Sequence, residues 1–195
     1  MTAAGEIPLF PLQAVLFPGG RLPLRIFEQR YMDMAKACLR DGSPFGVCLI
    51  REGREVGEPA LPEAVGCVAR IVEWDMPQLG LLQVVARGER RLRIRARRVQ
   101  ADGLALAGAE LLDEERDAPL DPQADLCARV LRRMVDAAPA GLVELPPRYD
   151  SSAWVSARLA ELLPLSLASK QRLLEMDDAR DRLEILRRLI GSGGQ

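Results

Sequence analysis

Apolar residues recur with two different rhythms along this chain, and the change from one to the other divides it. From Ile7 to Phe27 they come in short runs punctuated by Pro8, Pro11, Pro18 and Pro23. Proline gives a strand ladder no donor, so this stretch predicts short strands separated by turns and excludes long central strands. Pro18-Gly19-Gly20 is the sharpest turn. Phe27, Tyr31, Met34, Ala35 and Cys38 then recur at spacings of three and four, one apolar stripe of a helix that Gly42 is placed to end. Phe45 to Ile50 reads as a buried strand, and Arg51-Glu52-Gly53-Arg54 as the turn after it. Val65 to Trp74 and Leu79 to Ala86 predict two more strands, broken at Met76-Pro77. In Arg90 to Val99, Leu92, Ile94 and Ala96 alternate with Arg91, Arg93, Arg95 and Arg97, the pattern of a half-buried strand with a solvated arginine face. Leu104 to Leu112 reads as a further strand.

The charged, proline-ended run Asp113-Glu114-Glu115-Arg116-Asp117-Ala118-Pro119 reads as a solvated connector, and beyond it the period becomes that of helices. Asp121-Pro122 offers an N-cap and a first-turn proline ahead of a stripe at Leu126/Cys127, Val130/Leu131 and Met134/Val135. Pro139, Gly141 and Pro146-Pro147 mark a loop. Ser151 or Ser152 caps a helix carrying Val155, Leu159, Leu162 and Leu163, which Pro164 closes. Ser166 starts a short helix through Leu174. Asp177 starts the last, with Ala179, Leu183, Leu186 and Ile190 on one side and Gly191 as its stop. The fold class is therefore α+β: a β-rich half, residues 1–117, followed by a small C-terminal α-helical bundle, residues 118–195.

Composition narrows the chemistry. With 48% apolar and 28% charged residues in 195, the chain can bury a core and is too apolar for disorder. A net charge of -1 gives no global attraction to nucleic acid or anionic membrane. No run approaches the roughly 20 apolar residues of a membrane span, and Met1 to Leu9 lacks the form of a secretory signal, so a cytoplasmic location is expected. Cys38, Cys48, Cys67 and Cys127 lie far apart and no histidine exists, so reduced core thiols are expected, with no metal and no cofactor. No lysine ends a glycine-rich phosphate loop, and G-x-G-x-x-G is absent. Without histidine, Ser-His and Cys-His pairs are impossible. Ser166 and Lys170 share a helix face but read as a capping serine and a solvated lysine. The arginine stripe, with Arg87, Arg90 and Arg98 beside it, resembles a phosphate-binding surface, yet it has no interleaved aromatics and Glu89 lies ready to pair with it. Nucleic acid is not the expected partner.

Several motifs occur together in order. Pro8-Leu9-Phe10-Pro11-Leu12, Leu16-Phe17-Pro18-Gly19 and Leu22-Pro23-Leu24-Arg25-Ile26-Phe27-Glu28-Gln29-Arg30-Tyr31 are followed by Phe45-Gly46-Val47, Glu55-Val56-Gly57, Val65-Gly66-Cys67 and Gly88-Glu89-Arg90-Arg91. Leu163-Pro164-Leu165, Lys170-Gln171, Leu173-Leu174-Glu175 and Arg182-Leu183 continue the series. Over nearly the whole chain this closely resembles the N-terminal domain of Lon proteases. The resemblance implies a PUA-like pseudo-barrel followed by helices, and a part in selecting and holding substrate polypeptides. In full Lon proteases an ATPase module and a Ser-Lys protease domain follow. This chain stops at Gln195 before either, so the expectation is a stand-alone, non-catalytic adaptor or holdase.

Expected partners are unfolded or partly folded polypeptides, with a Lon-type protease as a further candidate. Such a binder needs an apolar surface with polar anchors, or an open strand edge. Phe17, Pro18, Tyr31 and Trp74 are the candidate lining of a groove, and Arg25, Glu28 and Arg30 its candidate rim. The competing reading makes the aromatics core and Arg25 with Glu28 an internal ion pair. Two alternative functions stand beside it: an RNA-binding PUA-like module using Arg91, Arg93, Arg95 and Arg97, and a small-molecule binder with a deep polar pocket.

Overall fold

A computed structural model describes residues 3–122 and 125–192. The chain forms two compact units, Met1–Leu112 and Asp113–Gln195. The first holds strands β1 (Ala3–Leu12), β2 (Arg21–Ile26), β3 (Phe45–Glu52), β4 (Leu61–Pro62), β5 (Val65–Gln78), β6 (Leu81–Val99) and β7 (Ala105–Leu111), with helix α1 (Gln29–Asp41) between β2 and β3. The pairings β1–β7–β6–β5–β3 return to β1 through a parallel β1–β3 ladder, so five strands close a ring. β2 pairs antiparallel with the first part of β6, and β4 pairs with β3. One apolar cluster gathers Phe10, Ile26, Tyr31, Met34, Phe45 and Val84. Another gathers Leu9, Val68, Leu92 and Ala107.

The proline-rich start differs from the expected short strands: β1 is a single strand of 10 residues that includes Pro8 and Pro11. It never has two ladders at once. Its first part pairs with β7, as far as Pro8 opposite Leu106, and its second part pairs with β3, from Leu9 opposite Gly46. Each part is an edge on its other side, where a residue lacking N–H costs little. Met76-Pro77 likewise does not end β5, which runs 14 residues to a turn at Gly80 (φ 83°). The expected Leu79–Ala86 and Arg90–Val99 strands are one strand of 19 residues, β6, whose shifts of register let it bend instead of stopping.

Phe27 is not part of the α1 stripe. The helix begins after Glu28 (φ -73°, ψ 134°), ends at Gly42 (φ 64°), and buries Tyr31, Met34, Ala35 and Cys38. The turn after β1 is a tight one. Gly20 N–H donates to the Phe17 carbonyl at 2.9 Å, and Gly19 takes the positive φ of 73°. That turn is pinned to β6 by Gly19 N–H to the Gly88 carbonyl (2.8 Å) and Gly88 N–H to the Gly20 carbonyl (2.9 Å). A Cβ on Gly88 would stand 2.3 Å from the Phe17 carbonyl oxygen, and one on Gly66 would stand 2.4 Å from both Cys48 Sγ and the Val47 carbonyl oxygen.

The second unit contains α2 (Leu126–Ala137), α3 (Ser152–Leu162), α4 (Leu167–Glu175) and α5 (Ala179–Ser192). Ser151 caps α3, accepting from Trp154 N–H, and Ser166 caps α4, accepting from Ser169 N–H. The cap of α2 is Asp125, not Asp121, and it accepts from Ala128 N–H at 3.1 Å. At the start of α5 the Asp178 carboxylate accepts from Arg180 N–H at 2.8 Å, and Gly191 lies inside that helix instead of ending it.

The acidic run is exposed over most of its length, as expected of a connector, but two of its carboxylates are engaged by the helices. Asp117 accepts from Ala153 N–H (3.0 Å), Ser151 Oγ (2.8 Å) and Ala118 N–H (2.9 Å). Although partial burial opposes it, these donors hold the Asp117 carboxyl below its ordinary value. Glu115 ion-pairs with Arg182, which is fully buried and also donates to Ser156 Oγ at 3.0 Å. Residues 113–117 therefore group with the helices, which places the division at Leu112.

Three outcomes follow from this packing. Gly88→Ala drives a methyl into a backbone carbonyl and lowers stability by about 1–3 kcal/mol, whereas Gly108→Ala, whose nearest contact would be Ala96 Cβ at 3.8 Å, does not. Urea midpoints compare the two directly. All four cysteines are buried, so none reacts with a chromogenic disulfide reagent until guanidinium unfolds the chain. Burial pushes the Cys48 thiol up to about 12 from an ordinary 9.0. The unfolded chain releases that proton near 9.0 and the folded chain retains it, so this contribution to stability is full below 9.0 and falls as pH rises toward 12. In Cys48→Ala that alkaline loss is smaller.

Candidate functional site

β2 and the second half of β1 come close without pairing, and a cleft of about 430 Å³ lies beside them. Phe10 and Leu12 of β1, Leu22 and Leu24 of β2, and Tyr31 of α1 form its walls. Phe27 and Val56, 58% and 54% exposed, stand at its mouth. Arg25, Glu28 and Glu55 form a polar rim. The rings of these walls are layered: Phe10 stacks on Tyr31 with ring centroids 4.2 Å apart, and Phe45 follows at 6.4 Å from Phe10. Burial pushes the Tyr31 hydroxyl above its ordinary value, with the Arg30 charge opposing it. Arg30 is buried beside the cleft, pairs with Glu28 at 2.9 Å, and lies 4.8 Å over the Tyr31 ring. Glu55 accepts Gln13 N–H at 2.5 Å, which ties the loop after β3 to the end of β1.

A second depression, of about 530 Å³, borders the same strand. Here β2, β6 and β5 are in register as rows: Pro23–Val85–Glu73, Leu24–Val84–Trp74 and Arg25–Gln83–Asp75. Trp74 shares a row with the buried Val84 but is itself 61% exposed, because the β5–β6 hairpin runs past the core. Val72, Met76 and Leu79 are exposed along the same hairpin.

The residues expected at a groove separate into three groups. Arg25, Glu28 and Tyr31 line the cleft, with Arg30 behind them, and Trp74 lines the neighbouring depression. Phe17 and Pro18 line neither. Phe17 is 0% exposed, a core side chain whose carbonyl packs against Gly88, and Pro18 is half-buried in the turn. Glu28 pairs with Arg30, and no Arg25–Glu28 pair occurs among the described residues. Phe27, Val56, Leu22 and Leu24 were missed. The alternation Leu22-Leu24-Ile26 was the available signal, and a helix start at Glu28 would have released Phe27 from the stripe.

The arginine stripe is not a continuous solvated face. Arg91 is buried, and the alternation shifts between Ile94 and Ala96. Arg95 pairs with Glu110, Arg98 with Glu6, and Arg97 donates to the Ala60 carbonyl at 2.9 Å. Lys170 is half-buried rather than solvated and donates to the Glu161 carbonyl at 2.6 Å, while the Ser166 hydroxyl accepts from Ser169 N–H. Burial lowers the Lys170 ammonium below its ordinary value. Among the described residues no group of acidic or thiol side chains is arranged to hold a metal ion, and no helix is long and apolar enough to cross a membrane.

The family model of the ATP-dependent protease La (LON) substrate-binding domain matches residues 6–191. The chain belongs to that family. A crystal structure of a Lon N-terminal domain protein from Xanthomonas campestris is 40% identical, with a TM-score of 0.77, and covers 94% of this chain and 97% of that one. The N-terminal domain of a Mycobacterium avium complex Lon protease, 16% identical at a TM-score of 0.61, shares the fold. The Lon protease of Paraburkholderia phytofirmans is 30% identical over 187 residues, which is 90% of this chain and 23% of that protein. This Lon substrate-binding domain thus spans about a quarter of the length of the Lon proteases it matches.

Core and cleft aromatics differ in what their loss does to this Lon domain. Phe17→Ala lowers stability by about 3–5 kcal/mol. Phe27→Ala changes it by less than about 0.5 kcal/mol. Thermal unfolding of the two variants, side by side, checks the assignment of each ring.

Proposed function

We propose that this Lon substrate-binding domain recognises unfolded or partly folded polypeptides at the cleft beside β2, as an adaptor or holdase without chemistry of its own. The observation that carries the reading is the cleft itself. An apolar trough opens at an exposed Phe27 and Val56, and the exposed Arg25 stands at its rim. Unfolded chains differ from folded ones in presenting apolar side chains and free backbone groups, and this surface offers partners for the first. The absence of histidine and of a phosphate loop supports a binding role over a catalytic one. A Lon-type protease is the proposed recipient of what is bound, and the cytoplasm the proposed place of action.

Titration of a labelled, permanently unfolded protein with the purified chain, followed by fluorescence anisotropy at physiological salt, tests the reading. The expected result is micromolar binding that other unfolded chains compete and folded ones do not. Phe27→Ser is expected to weaken it by about tenfold at an unchanged melting temperature. Absence of binding at high concentration, or full affinity in Phe27→Ser, would overturn the assignment.

A further inference from the structure

Among the described residues, no strand pairs with the side of β2 turned away from β6. β6 carries β2 along its first part and β7 along its second. β7 leads on to β1, whose second part turns to β3. β2 therefore lies off the closed ring, with one edge unpaired. Beside it lies the end of β1, and Phe10, Leu12, Leu22 and Leu24 of the two strands line the cleft.

The free edge has a definite polarity. Pro23 stands opposite Val85, and a proline in a paired edge strand keeps its nitrogen on the unpaired side. Alternation along the strand then turns the N–H and C=O of Arg25, with the carbonyl of Pro23, toward the opening. The same alternation sorts the side chains. Leu22, Leu24 and Ile26 lie on the core side, while Pro23 and Arg25 are exposed. Arg21 on that exposed side pairs with Glu73 at 2.6 Å, whereas Arg25 has no ion-pair partner among the described residues.

Building on the polypeptide recognition proposed above, we infer that the bound segment is an extended strand that adds to the free edge of β2. It carries an acidic residue opposite Arg25 and apolar residues on either side of that position, directed into the cleft. Main-chain hydrogen bonds to Arg25 and Pro23 are indifferent to sequence, which suits a receptor of many substrates. The alternate side chains supply the selection. Opposite charges directly across a ladder attract, and like charges there repel.

Three short labelled peptides test this on the full chain: one with a Leu-Glu-Leu centre, one with Leu-Lys-Leu, and the first again with alternate backbone amides N-methylated. The permanently unfolded protein serves as reference. The Leu-Glu-Leu peptide is expected to bind about tenfold tighter than the Leu-Lys-Leu peptide, with the order reversed in Arg25→Glu. N-methylation is expected to cost at least about tenfold, and hydrogen exchange at the Arg25 amide is expected to slow in the complex. If the unfolded protein binds but N-methylation or charge makes no difference, strand addition is wrong and the recognition reading stands. If the unfolded protein does not bind, both fail.

Discussion

The Phe17 carbonyl oxygen occupies the place where residue 88 would carry a side chain, and much of the first unit depends on that close approach. Because residue 88 is glycine, the turn ending at Gly20 exchanges two backbone hydrogen bonds with β6 instead of being held off by a methyl. The next residue out of the turn, Arg21, is thereby set opposite Arg87, and the register of all of β2 follows to Ile26 opposite Leu82. A one-residue slip would turn Leu22, Leu24 and Ile26 to solvent and Arg25 to the core. Gly66 acts in the same way against β3, where an added Cβ would meet the Val47 carbonyl oxygen and Cys48 Sγ, while Gly46 leaves room for the Leu9 and Leu92 side chains. Gly66 and Gly88 of the family signature are thus points of close backbone approach, whereas Gly19 supplies the positive φ of a turn.

Much of this was legible in the sequence. Runs with period 2 gave strands, runs with period 3.6 gave helices, and the change fell near the observed division. The helix-capping serines at 151 and 166 were readable because a hydroxyl before an apolar stripe has one local use. What stayed hidden depended on partners distant in sequence. Pro8 and Pro11 lie in a long strand because each part of β1 has only one neighbour, a fact of topology that proline counting does not contain. Glu115 and Asp117 look like linker charges until Arg182 and the start of α3 are brought to them.

The site was half legible for a related reason. Tyr31, Arg25 and Glu28 were named from the motif, and the fold collects them at one cleft. Phe17 belongs to the same motif but serves the core, since a motif records everything the fold requires, packing included. The arginines of β6 show the converse. Seven arginines lie within twelve residues there, from Arg87 to Arg98. In space, Arg70 takes up the nearby Glu89, while Glu6, Glu110 and two main-chain carbonyls engage Arg98, Arg95, Arg97 and Arg90. A dense positive run in sequence becomes a set of local pairs that fasten strand to strand.

The free edge of β2 carries a proline at its centre and an arginine two residues to either side. An exposed strand edge is ordinarily a seed for fibres. If a second copy of the domain approached in antiparallel fashion with Pro23 facing Pro23, the middle of the new ladder would fall on two residues with no N–H to give, so this edge is poorly matched to its own duplicate in that register.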